Sequence, residues 1–213
     1  MYSPKSSSGV PVYRGSQLST ISFFVRIGLG QNWVGVANLE FLNHLCSDIG
    51  NISRIVNKMQ QLNFPHFDFK VRNIGSRPEI FDPVRRKFVT LTPEEWVRQH
   101  LIMYVTLVKG YPISMIGVEK QLMLNKMPRR FDLVIFRRNG SPLLLAECKA
   151  PEVDITEKTF DQAARYNMLL QAEFFLITNG LEHYPCRLDY LNKQYIFIED
   201  IPDFNDLPGT TAV

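Results

Sequence analysis

The amino-acid sequence predicts an α/β protein with a mixed central β-sheet flanked by helices. Two observations carry this expectation. From residue 92 the local signals run helix, three strands, helix, strand, and a final strand pair. The punctuation between them is chemically specific: Thr92-Pro93-Glu94-Glu95 starts a helix, and Asn139-Gly140-Ser141-Pro142 turns a hairpin.

Before that start, Phe67–Arg72 and Lys87–Thr90 have strand character, and Ile80–Phe88 spans a turn at Asp82-Pro83. Thr92 can cap the first helix, Pro93 suits its first position, and Glu95 completes a capping box. Trp96, Leu101, Tyr104, Val105 and Val108 continue at helical spacing until Lys109-Gly110. Ile113–Leu124 is expected as a strand carrying Val118-Glu119. Phe131–Arg137 and Leu143–Lys149 form the hairpin pair, and Thr159–Ala172 reads as the second helix. Phe174–Thr178 is a short buried strand ending at Asn179-Gly180. Tyr184–Leu188 and Gln194–Ile198 close the chain as a strand pair.

The domain boundary falls at Met59. Residues 1–58 open with Ser6-Ser7-Ser8-Gly9 and never settle into a helical or strand period, so they are expected to be a poorly ordered extension or a misassigned start. The alternative is a small helical cap built from Asn38–Leu45 and Ile52–Met59. Residues 59–213 supply a complete set of elements and form the expected domain.

Charge is uneven. The net +3 resides in residues 1–58, where Lys5, Arg14, Arg26, Arg54 and Lys58 outnumber Glu40 and Asp48; the remainder is neutral. Attraction to a polyanion must then come from local patches. Cys46, Cys148 and Cys186 form an odd set without C-x-x-C spacing, which argues against a disulfide framework or structural zinc and fits a reducing cytosol. No apolar run of about 18 residues occurs, so no membrane span is expected and the chain is placed in the cytoplasm.

The chemistry concentrates in Arg130-Phe131-Asp132 and Leu145-Ala146-Glu147-Cys148-Lys149. Alternation along a strand puts Glu147 and Lys149 on one face, with Ala146 and Cys148 on the other. The hairpin brings Asp132 alongside. Two neighbouring carboxylates repel, and a hard divalent cation relieves that repulsion. Asp132, Glu147 and the backbone carbonyl of Cys148 are the candidate ligands for Mg²⁺, or Mn²⁺ in its place. Lys149 would hold the attacking water and offset charge on a phosphate. The competing account makes Asp132 a surface residue and Glu147–Lys149 a structural ion pair.

D-x14-E-C-K on a strand hairpin resembles the PD-(D/E)XK nuclease motif. Val118-Glu119, Arg130-Phe131-Asp132, Leu145–Pro151, Asp161-Gln162-x-x-x-Tyr166 and Leu176–Gly180 follow in one order. Together they resemble the N-terminal nuclease domain of type I restriction enzyme R subunits, over roughly residues 90 to 200. Met59-Gln60-Gln61-Leu62-Asn63-Phe64-Pro65 looks like the start of compact stand-alone relatives.

The resemblance implies a restriction-endonuclease-like fold and a Mg²⁺-dependent deoxyribonuclease. It implies DNA as partner, with other restriction or defence subunits as further partners. Gln162 and Tyr166, one helical turn apart, would stand beside the metal and engage DNA. Glu119 matches an upstream acidic position and is a further metal ligand candidate. Arg129 and Arg130, immediately before Asp132, are the best candidates for phosphate contacts among the basic clusters. No G-x-x-x-x-G-K-[ST] occurs, so ATP binding and translocation do not carry over. The alternative to an endonuclease is a non-catalytic module that binds DNA or a partner on the same scaffold.

Overall fold

Among the described residues, two sheets and two α-helices follow one another. The computed structural model describes residues 59–75, 77–124 and 127–207, with all their side chains except those of residues 120–129, Tyr166 and Leu169. The expected extension, 1–58, lies outside the described residues.

Strands β1 (Val71–Ile74), β2 (Arg77–Asp82) and β3 (Lys87–Thr90) form an antiparallel sheet in chain order. The first strand begins later than the Phe67–Arg72 expected from composition. The aromatic rings before it are used for packing: Phe69 stacks against Trp96 and His100, with centroids 5.0 and 4.6 Å away.

Helix α1 (Pro93–Met103) starts as expected, with the Thr92 hydroxyl accepting from the Glu95 N–H at 3.1 Å. The reciprocal half of the capping box is absent because the Glu95 carboxylate is committed elsewhere. The helix also ends before Val108. The Thr106 hydroxyl bonds back to the Ile102 carbonyl at 2.7 Å, a contact that loosens a helix. Residues 104–108 widen into a π turn closed by the Lys109 N–H on Tyr104 O.

The larger sheet holds β4 (Ile116–Leu124), β5 (Met127–Phe136), β6 (Pro142–Cys148), β7 (Phe174–Thr178), β8 (His183–Asp189) and β9 (Gln194–Phe197), side by side in that order. All neighbours are antiparallel except β6 and β7, which run parallel because α2 (Glu157–Leu170) carries the chain back between them. The sheet is mixed, as expected. Helix α2 starts two residues earlier than the sequence suggested, because Thr156 is the cap and receives the Thr159 N–H at 3.3 Å.

Each face of this sheet carries its own core. Leu133, Ile135, Leu144, Ala146 and Cys148 pack with Val97, Leu101 and Ile102 of α1. Val134, Leu145, Phe175 and Ile177 pack with Ala163 and Ala164 of α2. The helices therefore flank the sheet on opposite faces.

Candidate active site

Three acidic residues line up across β4, β5 and β6. Leu133 pairs with Ala146 and Val134 with Leu145, so the register carried one residue further sets Asp132 opposite Glu147. Val118 pairs with Leu133 and Lys120 with Phe131, which sets Glu119 opposite Asp132. The ladder skips that one position. Glu119 there adopts φ 50°, a left-handed conformation costing a non-glycine residue about 1–3 kcal/mol.

Backbone and side chain fix Asp132 together. Its Oδ2 accepts the Cys148 N–H at 2.8 Å, and its Oδ1 accepts Arg98 Nη2 at 2.9 Å. On β6, Cys148 is buried in the α1-side core while Glu147 keeps step with Leu145, which faces α2. Glu147 Oε1 accepts Lys149 Nζ at 2.9 Å. The Lys149 backbone is held in turn by donating to Thr178 O at 2.8 Å.

The Thr178-Asn179-Gly180 turn secures this end of the sheet. Asn179 Oδ1 accepts the N–H groups of Leu181 and Glu182 at 3.0 and 2.8 Å. Its amide donates to Val153 O at 3.0 Å, anchoring the loop that follows Lys149. Gly180, at φ 84°, lies so close to the Leu62 side chain that an added Cβ would sit 2.8 Å from Leu62 Cδ2.

Helix α1 supplies what the sequence reading missed. Arg98, only 4 % exposed, reaches Asp132 while pairing with Glu95 and with Glu94 at 2.7 Å. Arg85 is turned inward rather than toward solvent. It binds Asp82, Glu95 and Glu119, each at 2.6 Å. Gln99 donates to Asp82 at 2.9 Å and Glu95 at 2.8 Å. The sequence signal was the i, i+3 and i+4 spacing of Glu94, Glu95, Arg98 and Gln99 on a helix with Trp96, Val97 and Leu101.

Electrostatics follow from this packing. Burial, then the charge of Asp132, raises the Glu147 pKa against the opposing pull of Lys149. Burial works against the Lys149 ammonium, but Glu147 and Asp132 outweigh it and raise its pKa. For Glu119 burial is again the largest influence and is again outweighed: Arg130, Arg85 and Arg98 hold its carboxyl below the usual value. Burial drives the Cys148 thiol well above its usual range, so the thiol stays protonated and the residue offers backbone groups.

A hard divalent ion suits Asp132 and Glu147, whose charges oppose one another and whose donors are all oxygens. Among the described residues no group of three or more His, Cys, Asp or Glu side chains gathers for a metal. Glu119 faces arginines instead, contacting Arg130 and Arg85. Of the other expected site residues, Arg130 is largely exposed and pairs with Glu119. Gln162 is exposed on α2, and Tyr166 follows one turn later with its side chain outside the described set. Arg129 lies on β5, its side chain likewise outside that set.

The architecture is that of a restriction-endonuclease-like α/β domain. The model of the type I restriction enzyme R protein N terminus matches residues 93–202, just over half of the 213-residue sequence. The chain belongs to that family. The match runs from the first residue of α1 to just beyond β9 and takes in the whole acidic row. No curated protein matched the chain. The family makes this a nuclease-like module of restriction-modification character. Among the described residues no helix is long and apolar enough to cross a membrane.

Proposed function

We propose that this chain is a metal-dependent DNA endonuclease that hydrolyses phosphodiester bonds in the cytoplasm. The observation that carries the proposal is the setting of Asp132 opposite Glu147, with Lys149 on the Glu147 carboxylate at 2.9 Å. Asp132, Glu147 and the Cys148 carbonyl would hold Mg²⁺, or Mn²⁺ in its place, which when bound would supply a Lewis acid to acidify water and offset phosphate charge.

The chain's own groups do the rest. Lys149 stands where it can orient the attacking water and meet negative charge building on the phosphate. Arg130 is exposed enough to leave Glu119 for a DNA phosphate, with Arg129 beside it in sequence. Gln162 and Tyr166, one turn apart on the helix, are the residues proposed to contact DNA. Glu119 is a further ligand candidate if its arginines let go. Other restriction or defence subunits are proposed as partners that deliver DNA.

One observation favours a second reading, a non-catalytic module that binds DNA or a partner. Glu119 and Asp132 both already hold arginines. Incubating supercoiled plasmid with the protein, with Mg²⁺ or with EDTA, separates the two. Nicked or linear product that requires Mg²⁺ and vanishes in Glu147→Ala supports the endonuclease. Retained DNA binding with no cleavage under any metal selects the second reading, and equal cleavage by wild type and Glu147→Ala rejects this site.

A further inference from the structure

We infer that Arg98 is a positioning residue that takes the place of a second divalent cation, so that the site binds one metal ion and not two. The inference rests on the metal-dependent reading above and goes beyond it to the ion count. A two-metal site needs a carboxylate shared between ions about 3.5–4 Å apart, plus further acidic ligands for the second ion. Asp132 is the residue placed to be shared, and Glu94, Glu95 and Glu119 are the acids on its α1 side. Arg98 already occupies that position. It contacts Asp132 Oδ1 at 2.9 Å, Glu94 at 2.7 Å and Glu95, with Glu119 Oε1 3.9 Å away.

Charge balance points the same way. The linked ion pairs contain the carboxylates of Asp82, Glu94, Glu95, Glu119 and Asp132 against the cations Arg85, Arg98 and Arg130, and the neighbouring Glu147–Lys149 pair adds no net charge. Two negative charges are left over, the charge of a single divalent ion. A second ion would overshoot unless a guanidinium withdrew. Arg98 is 4 % exposed and enclosed by its carboxylates, so its withdrawal would leave Asp132 without its cation and Glu95 with Arg85 alone. A permanent arginine also needs no second ion to be recruited from solution, and it fixes Asp132 before any metal arrives.

The test is metal stoichiometry, measured with Mn²⁺ on the full chain by calorimetry and by electron paramagnetic resonance. Wild type is expected to bind about one Mn²⁺ per chain, and Arg98→Met about two, since it vacates the position and adds one net negative charge. Arg98→Lys, which restores the charge, is expected to return to about one. Two ions on wild type would overturn the inference and leave the metal-dependent reading standing. An Arg98→Met protein that still binds one ion with unchanged affinity would overturn it as well. No Mn²⁺ binding by wild type at millimolar metal would instead defeat the metal-dependent reading, and this inference with it. Should Arg98→Met fail to fold, the wild-type count decides between one ion and two.

Discussion

Asp132 keeps lone pairs available even after accepting from Cys148 N–H and Arg98, because an ionised carboxylate has roughly four acceptor directions. That sets its expected response to substitution apart from that of Lys149. Asp132→Ala removes a proposed ligand and the acceptor of the Cys148 N–H, while Arg98 keeps Glu94 and Glu95, so loss of cleavage should come with destabilisation of about 1–3 kcal/mol. Lys149→Ala leaves both carboxylates in place and removes an ammonium that is partly exposed. Its cleavage should fall by about 10²-fold or more with Mn²⁺ affinity changed far less. Parallel plasmid cleavage, calorimetry and urea unfolding check the contrast; equal losses of stability in the two variants would contradict it.

At the scale of elements, the β7–β8 turn holds the loop after β6. Asn179 is 4 % exposed and its side chain makes three hydrogen bonds, two of them to the turn and one to Val153 O. Asn179→Ala should cost about 1–3 kcal/mol and lower cleavage although residue 179 carries no proposed chemistry. Thermal melts beside the plasmid assay read both effects. Strand alternation and the Asn139-Gly140 turn made the hairpin carrying Asp132 and Glu147 legible in the sequence, because both are local patterns. Arg98 was not legible, since its contact with Asp132 exists only once α1 lies against the sheet, 34 residues further along the chain. The same distance problem hid Glu95. Its spacing from Thr92 fits a capping box, yet tertiary partners Arg85 and Arg98 claim the carboxylate. Residue 106 misled by its neighbours: Tyr104, Val105 and Val108 fit a helical period, while the Thr106 hydroxyl works against it.

For the whole molecule, buried His100 and half-buried His183 tie stability to pH. His100 sits among Trp96, Phe64 and Phe69, and burial lowers its pKa from 6.5; burial likewise lowers that of His183, which meets Thr178 and Asn63 O. A folded-state pKa below the unfolded value means the unfolded chain binds more protons. The stability from neutral His100 and His183 is therefore full above pH 6.5 and is lost as pH falls through the lowered folded values. Melting temperature should drop between pH 7.5 and pH 5, and His100→Phe should flatten that slope. We also propose that residues 59–213 form the folding unit. A chain beginning at Met59 should unfold cooperatively with a melting temperature close to that of the full chain, as calorimetry would show.

The parallel seam of β6 against β7 bears on when the proposed site is assembled. Strands β4, β5 and β6 can zip together by local hairpins, but β7 must wait until α2 has been made and folded back. Lys149 takes its backbone anchor from Thr178 across that seam. A ribosome that has just finished Lys149 has therefore written every charged group of the acidic row and its lysine, yet holds them unarmed. Addition of β7, some thirty residues later by the position of Thr178, is the step that anchors Lys149, so a product stalled before it is expected to lack the proposed cleavage.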